Sequence, residues 1–339
     1  MGWTFLELAA GIALAAMTLR DVFDTVVVPG SSRTTLHVAR RLVLVLLPVW
    51  KRLRGRRRGL STMFAPVALV AAFAIWMGLL AIAFGLMVHA TGNAFSPRIA
   101  GFGDAVFAAG SALVTIGQSS DVVHGGARWV VLAAGFCGLG VMTMAVTYLL
   151  EVQSSIARRD SGILKLRTSA GEPPSAVALL EKFAAIGASG ELPRILRDGR
   201  DWCATVRQSH ASHPSLIYFR STGTGSGWPA ALGALLDLAL IIERCLDMPD
   251  LRGLAILLRE DASHMCRELS GLIALDPDPA PPDAGDAAAM AVRLAGAGYR
   301  RQNGFDPAAF AHEREGHSEW VRALAHHLGR PEAGLLPDD

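Results

Sequence analysis

Between His89 and Arg128 the sequence sets out residues suited to handling a positive ion. Asp104-Ala105-Val106-Phe107 opens a run of small and apolar residues that ends in Leu113-Val114-Thr115-Ile116-Gly117. The spacing predicts a short helix over Asp104–Val114. Its first turn carries a carboxylate, which the positive end of a helix dipole stabilises, and its last turn presents partial negative charge, which favours a cation. At about 1.5 Å per residue such a helix reaches only part of the way through a bilayer. Gly117 supplies the freedom to take a positive φ just after it.

That chemistry matters only if the flanking segments hold the helix in an apolar slab, and the composition says that they do. The chain has 339 residues, 51% of them hydrophobic, with a mean hydropathy of +0.35. The apolar excess is concentrated before residue 152. Spanning a bilayer takes about 20 mostly apolar helical residues. Met63–Val88 and Trp129–Leu150 meet that requirement without a charge, on either side of the short helix. Trp3–Leu19 is a third span despite Glu7. It continues as helix through Val28, carrying Arg20, Asp21 and Asp24, until Pro29-Gly30 stops it.

Direction follows from the basic residues of the short loops. Nine of the 32 basic residues (Arg33, Arg40, Arg41, Lys51, Arg52, Arg54, Arg56, Arg57 and Arg58) fall between the first and second spans. That loop is expected on the cytosolic side of the plasma membrane, with the N-terminus outside and everything after about Glu151 inside. Leu42–Trp50, apolar and flanked by basic residues, reads as a helix lying at the inner interface. The basic cluster fits lipid headgroups and topology; nucleic acid is not an expected partner. No regular series of arginines runs through a span, so voltage sensing is not indicated.

Non-helical backbone at membrane depth is tolerated only inside protein or beside water, and a half-helix followed by Thr-Ile-Gly between two full spans fits that rule. From Met63 to Leu150 the sequence resembles the pore module of potassium channels, with an outer helix, a pore helix, a filter and an inner helix. The resemblance is carried by Asp104–Phe107 and Leu113–Gly117. It implies a homotetramer in which rings of Thr115, Ile116 and Gly117 carbonyl oxygens replace the water shell of K+ or another monovalent cation. It also implies Asp104 and Asp121 as the acidic residues of the pore helix and mouth, and an inner helix in which Gly135, Gly138 or Gly140 could hinge. Tight packing is the alternative role for those glycines. The family's filter departs here at Gln118, where an aromatic is usual, and at Ser119, where a second glycine is usual. Weakened potassium selectivity is the consequence expected.

Beyond Gln153 the pattern turns helical and polar. The domain boundaries expected are 1–62 (first span and basic segment), 63–152 (pore module), 153–275 (helical cytosolic domain) and 276–339 (Pro/Asp-rich linker and terminal helical pair). Helical spacing recurs in Ser175–Ile186, Leu192–Val206, Trp228–Leu246, Leu251–Leu275, Ala287–Gln302 and Pro307–Leu328. Trp228–Leu246 is very apolar, but Asp237 in its middle argues for a core helix rather than a fourth span. Gly223–Gly227 lacks the spacing of a dinucleotide fingerprint and reads as a loop. His210, His213, His264 and Cys266 have no specific metal-ligand spacing, so no metal is assigned. The four cysteines form no CxxC pair. No HExxH motif occurs, and neither Ser111 nor Ser119 has a histidine to activate it, so an enzyme is not expected. The fold class is therefore an all-α membrane protein with three transmembrane helices, a re-entrant pore helix and filter, and a helical cytosolic domain. The function expected is passive cation conduction. The alternative is a non-conducting membrane-anchored sensor or scaffold that reuses the pore fold.

Overall fold

Long apolar runs form long helices, Pro66 being tolerated in the first turn of one of them, and three such helices dominate the first part of the chain. The computed structural model describes residues 2–27, 64–117, 122–221, 225–332 and 334–337, with positions 38, 41, 42, 45, 46 and 48 between the first two stretches. Helix α1 spans Gly2–Val26, α2 spans Phe64–Ala90 and α4 spans Ala127–Ala170. By length and composition, all three are long and apolar enough to cross a membrane. Most of the basic loop, and most of Leu42–Trp50, lie outside the described residues. So do Val28, Pro29 and Gly30.

Between α2 and α4 come the two-residue strand β1 (Phe95–Ser96), helix α3 (Phe102–Leu113) and strand β2 (Val122–Val123). The strands pair antiparallel, Phe95 with Val123 and Ser96 with Val122.

The chain divides into two compact units, Met1–Val152 and Gln153–Asp339. In the first, small residues let helices approach closely, as is usual where lipid removes the hydrophobic drive between helices. A methyl group built on Gly11 of α1 would meet the Ala83 carbonyl of α2 at 2.6 Å. One built on Gly85 of α2 would meet Val106 of α3 at 2.6 Å. Trp76, Leu80, Phe84, Leu113 and Val141 fill the spaces between these contacts.

In the second unit α5 (Ala176–Ala185), α6 (Leu192–Ser212), α7 (Gly227–Arg244), α8 (Pro249–Leu272), α9 (Ala284–Gly296) and α10 (Pro307–Leu328) follow in order. Ser175 caps α5 by accepting from the Ala178 N–H. Asp306 caps α10, and Gly329 ends it with φ +63°. Helix α7 is buried along nearly all its length, against α5, α8 and α10. Of its two buried carboxylates, Asp237 at mid-helix is met by both arms of Arg314 at 2.8 and 2.9 Å and by His317 Nε2 at 3.0 Å. Burial would raise the Asp237 carboxyl, but these two partners outweigh it and hold it below the ordinary range.

Candidate functional site

Thr115, Ile116 and Gly117 follow directly on the C-terminal end of α3. Asp104 lies in the first turn of that helix. The helix begins at Phe102 and ends at Leu113, so its bounds differ slightly from Asp104–Val114. Its start lies beside the end of α2, where the Phe102 ring meets His89 edge to face with centroids 6.0 Å apart. Its end lies against α4: a methyl group on Gly138 would run into the Leu113 carbonyl, and one on Gly135 would meet the Ala112 carbonyl at 3.4 Å. Gly138 is about three turns into α4, some 16 Å along its axis. The paired strands hold the two ends of the α3 segment together at the other extreme. His124 N–H reinforces them by donating to Ala94 O at 2.8 Å, and Arg128 Nε donates to Val123 O at 2.7 Å.

The turn that follows α3 is closed by its own backbone. Val114 N–H donates to Gly110 O, Thr115 N–H to Ala112 O and Ile116 N–H to Ser111 O, each at 3.0 Å. The last two bonds make up a Schellman motif, in which the residue just past the helix takes a left-handed conformation. That residue is usually glycine. Here it is Thr115, with φ +61°. Gly117 follows at φ +68°, and its N–H also reaches Ser111 O, at 3.2 Å. Thr115, Ile116 and Gly117 are all exposed in the single chain, Ile116 to 79%. Gln118, Ser119 and Asp121 lie outside the described residues.

Of the three glycines considered for a hinge, Gly135 and Gly138 pack on α3, while Gly140 has open space around it. Helix α4 is unbroken from Ala127 to Ala170.

Two polar contacts within the first unit went unread in the sequence. His89 Nδ1 lies 3.0 Å from Glu7 Oε2, joining α1 to the residue that touches the start of α3. Asp21, 1% exposed, accepts from Trp76 Nε1 at 2.8 Å and from the Val38 N–H at 3.2 Å. The signal was there: an acid inside an apolar helix needs donors, and Trp76 is one of the few that α2 offers.

Burial pushes Cys203 and Cys266 up to about 12 and Cys245 up to about 11, which keeps all three as thiols. Among the described residues no three His, Cys, Asp or Glu side chains converge as metal ligands would.

No family model, curated protein or solved structure matches this chain.

Proposed function

We propose that the protein is a tetrameric, potassium-channel-like pore that conducts monovalent cations passively, with α3 as a re-entrant pore helix and Thr115-Ile116-Gly117 as the innermost part of its filter. The single observation that carries this reading is the depth of α3. Its two ends of chain are tied together by β1 and β2, yet its C-terminus abuts α4 about 16 Å further along. A segment that enters and leaves at one level and turns half-way through a slab of about 30 Å is what a pore loop requires.

The chemistry follows from that depth. The α3 dipole brings partial negative charge to the turn. Four copies around one axis present backbone oxygens that substitute for the hydration of a passing cation. Thr115 adds a hydroxyl to the ring, and Gly117 permits the left-handed backbone.

The test is flux. Purified protein in liposomes under a potassium gradient is expected to pass cations, and Gly117→Ala, which places a side chain at φ +68°, is expected to abolish the flux. Native mass measurement is expected to give four 35.9 kDa chains. Absence of flux in both potassium and sodium gradients, or a dimer, would overturn the proposal in favour of a non-conducting scaffold.

A further inference from the structure

An imidazole carries a proton on both ring nitrogens only when it is charged; the neutral ring has one donor and one lone pair. In the second unit His326, in the last turn of α10, meets a carboxylate at each nitrogen. Its Nδ1 lies 2.7 Å from Asp278 Oδ2, and its Nε2 lies 2.5 Å from Glu332 Oε1. The two contacts are hydrogen bonds together only in the protonated ring. In the neutral ring one of them sets a lone pair against a carboxylate oxygen.

The two acids come from different segments. Asp278 belongs to the linker between α8 and α9, and Glu332 to the tail that follows α10. Both segments meet α10 along one stripe, where Glu315, Glu319, Arg322 and His326 stand at helical spacing. The linker has further ties to that stripe. Asp278 N–H donates to Glu319 O at 3.1 Å, Ala280 N–H donates to Glu315 Oε1 at 2.7 Å, and Arg322 Nη1 donates to the Asp278 carbonyl. The tail is held less firmly at Glu332. Besides His326, Arg322 Nε faces it at 3.6 Å, and the Arg322 fork is already engaged by Glu315 at 3.0 and 3.1 Å. Three carboxylates, Glu315, Glu332 and Asp278, thus act on one guanidinium. The imidazolium supplies the second positive charge. Beyond Glu332 the tail is seated by Leu335, 2% exposed. The Leu335 carbonyl accepts from Ser175 Oγ at 3.1 Å, the same hydroxyl that caps α5.

We propose that His326 is a pH-sensitive clasp that fastens the tail of the chain to α10. The protonated ring bridges linker and tail. Loss of its proton leaves one donor, which stays with the better anchored Asp278, and Glu332 is let go. Docking therefore favours the protonated ring. The clasp holds at low pH and weakens as pH rises through the range in which an ordinary histidine gives up its proton, around 6.5. The ring is half exposed, so solvent screens both pairs and the response is graded rather than all-or-none. The clasp does not depend on whether the pore conducts.

The experiment is amide hydrogen exchange on the full chain in detergent, at about pH 5.5 and about pH 7.5, either side of that range. Each measurement is referred to the same segment in the denatured chain, which removes the direct effect of pH on exchange. Protection around Glu332 and Leu335 is expected to fall several-fold from the lower pH to the higher, while buried α7 keeps its protection. His326→Gln is expected to hold the tail at one level of protection at both pH values. Glu332→Gln places an amide donor opposite the unprotonated nitrogen, so the tail is expected to stay protected at the higher pH. A general loosening of the fold does not produce that opposite sign. Equal protection of the wild-type tail at both pH values, or a fall of wild-type size in either His326→Gln or Glu332→Gln, overturns the proposal.

Discussion

At the residue scale, Thr115 is the most informative position. A left-handed backbone costs an L-residue about 1–2 kcal/mol, and a β-branched side chain makes it rarer still. The cost is borne where the proposed filter begins, which is where stored strain tends to collect. Thr115→Gly is therefore expected to raise the unfolding midpoint of the purified protein, by an amount equivalent to about 1 kcal/mol, while removing the hydroxyl and impairing flux. An unchanged or lower midpoint would mean that the turn is not strained. Sequence reasoning put the need for positive φ at Gly117 and overlooked Thr115, because threonine gives no outward sign of such a conformation; only the bonds to Ser111 and Ala112 reveal it. His210 was equally silent. Burial, with Arg159 nearby, lowers it from the ordinary 6.5 to about 3, so the folded chain keeps it neutral. The unfolded chain takes up that proton first as pH falls below 6.5. Its contribution to stability is thus intact above 6.5 and is lost down to about 3. His210→Phe is expected to make the acid limb of a circular-dichroism stability profile shallower, by up to about 1.4 kcal/mol per pH unit. An identical slope in both proteins would contradict that assignment.

At the element scale, apolar run length located the three long helices, and turn chemistry set where they end. The uncharged run Trp129–Leu150 marks only the membrane-length part of α4. The helix carries on to Ala170 because no proline interrupts it, and it stops where Gly171 takes φ +87° ahead of Pro173 and Pro174. Hydropathy cannot register that continuation, since it reads solvent preference and not backbone conformation. The glycines of α4 were similarly ambiguous in sequence, since a glycine that hinges and one that packs look alike. Contact separates them. Gly138→Ala forces a methyl group into the Leu113 backbone, which cannot swing aside as a side-chain tip would. It should cost about 1–3 kcal/mol and move α3. Gly140→Ala fills open space and should be neutral, or stabilising by up to about 1 kcal/mol, through helix propensity alone. Thermal midpoints of the two variants, measured side by side, check the contrast. Equal effects would show that α3 does not rest on Gly138 as described.

At the scale of the whole molecule, an odd number of spans puts the two ends of the chain on opposite sides of the membrane, and charge decides which is which. The topology we propose rests on the nine basic residues between α1 and α2, which are expected to favour the cytosolic face for that loop. On that proposal residue 126 is expected to face outside and residue 253 inside. The proposal comes from the distribution of charge in the sequence and needs no coordinates. The close approach of α3 to α4 was not legible, because it depends on which residues of α4 meet Leu113. Two exposed glycines with open space around them, Gly126 just before α4 and Gly253 in α8, accept a cysteine without strain. A membrane-impermeant maleimide applied to intact cells is expected to label Gly126→Cys, and to label Gly253→Cys only after the membrane is opened. The native cysteines of the second unit are buried and give a low background. The reverse pattern would invert the topology and place the mouth of the proposed pore in the cytosol. Labelling of both positions from outside would mean that one of the three apolar helices does not cross.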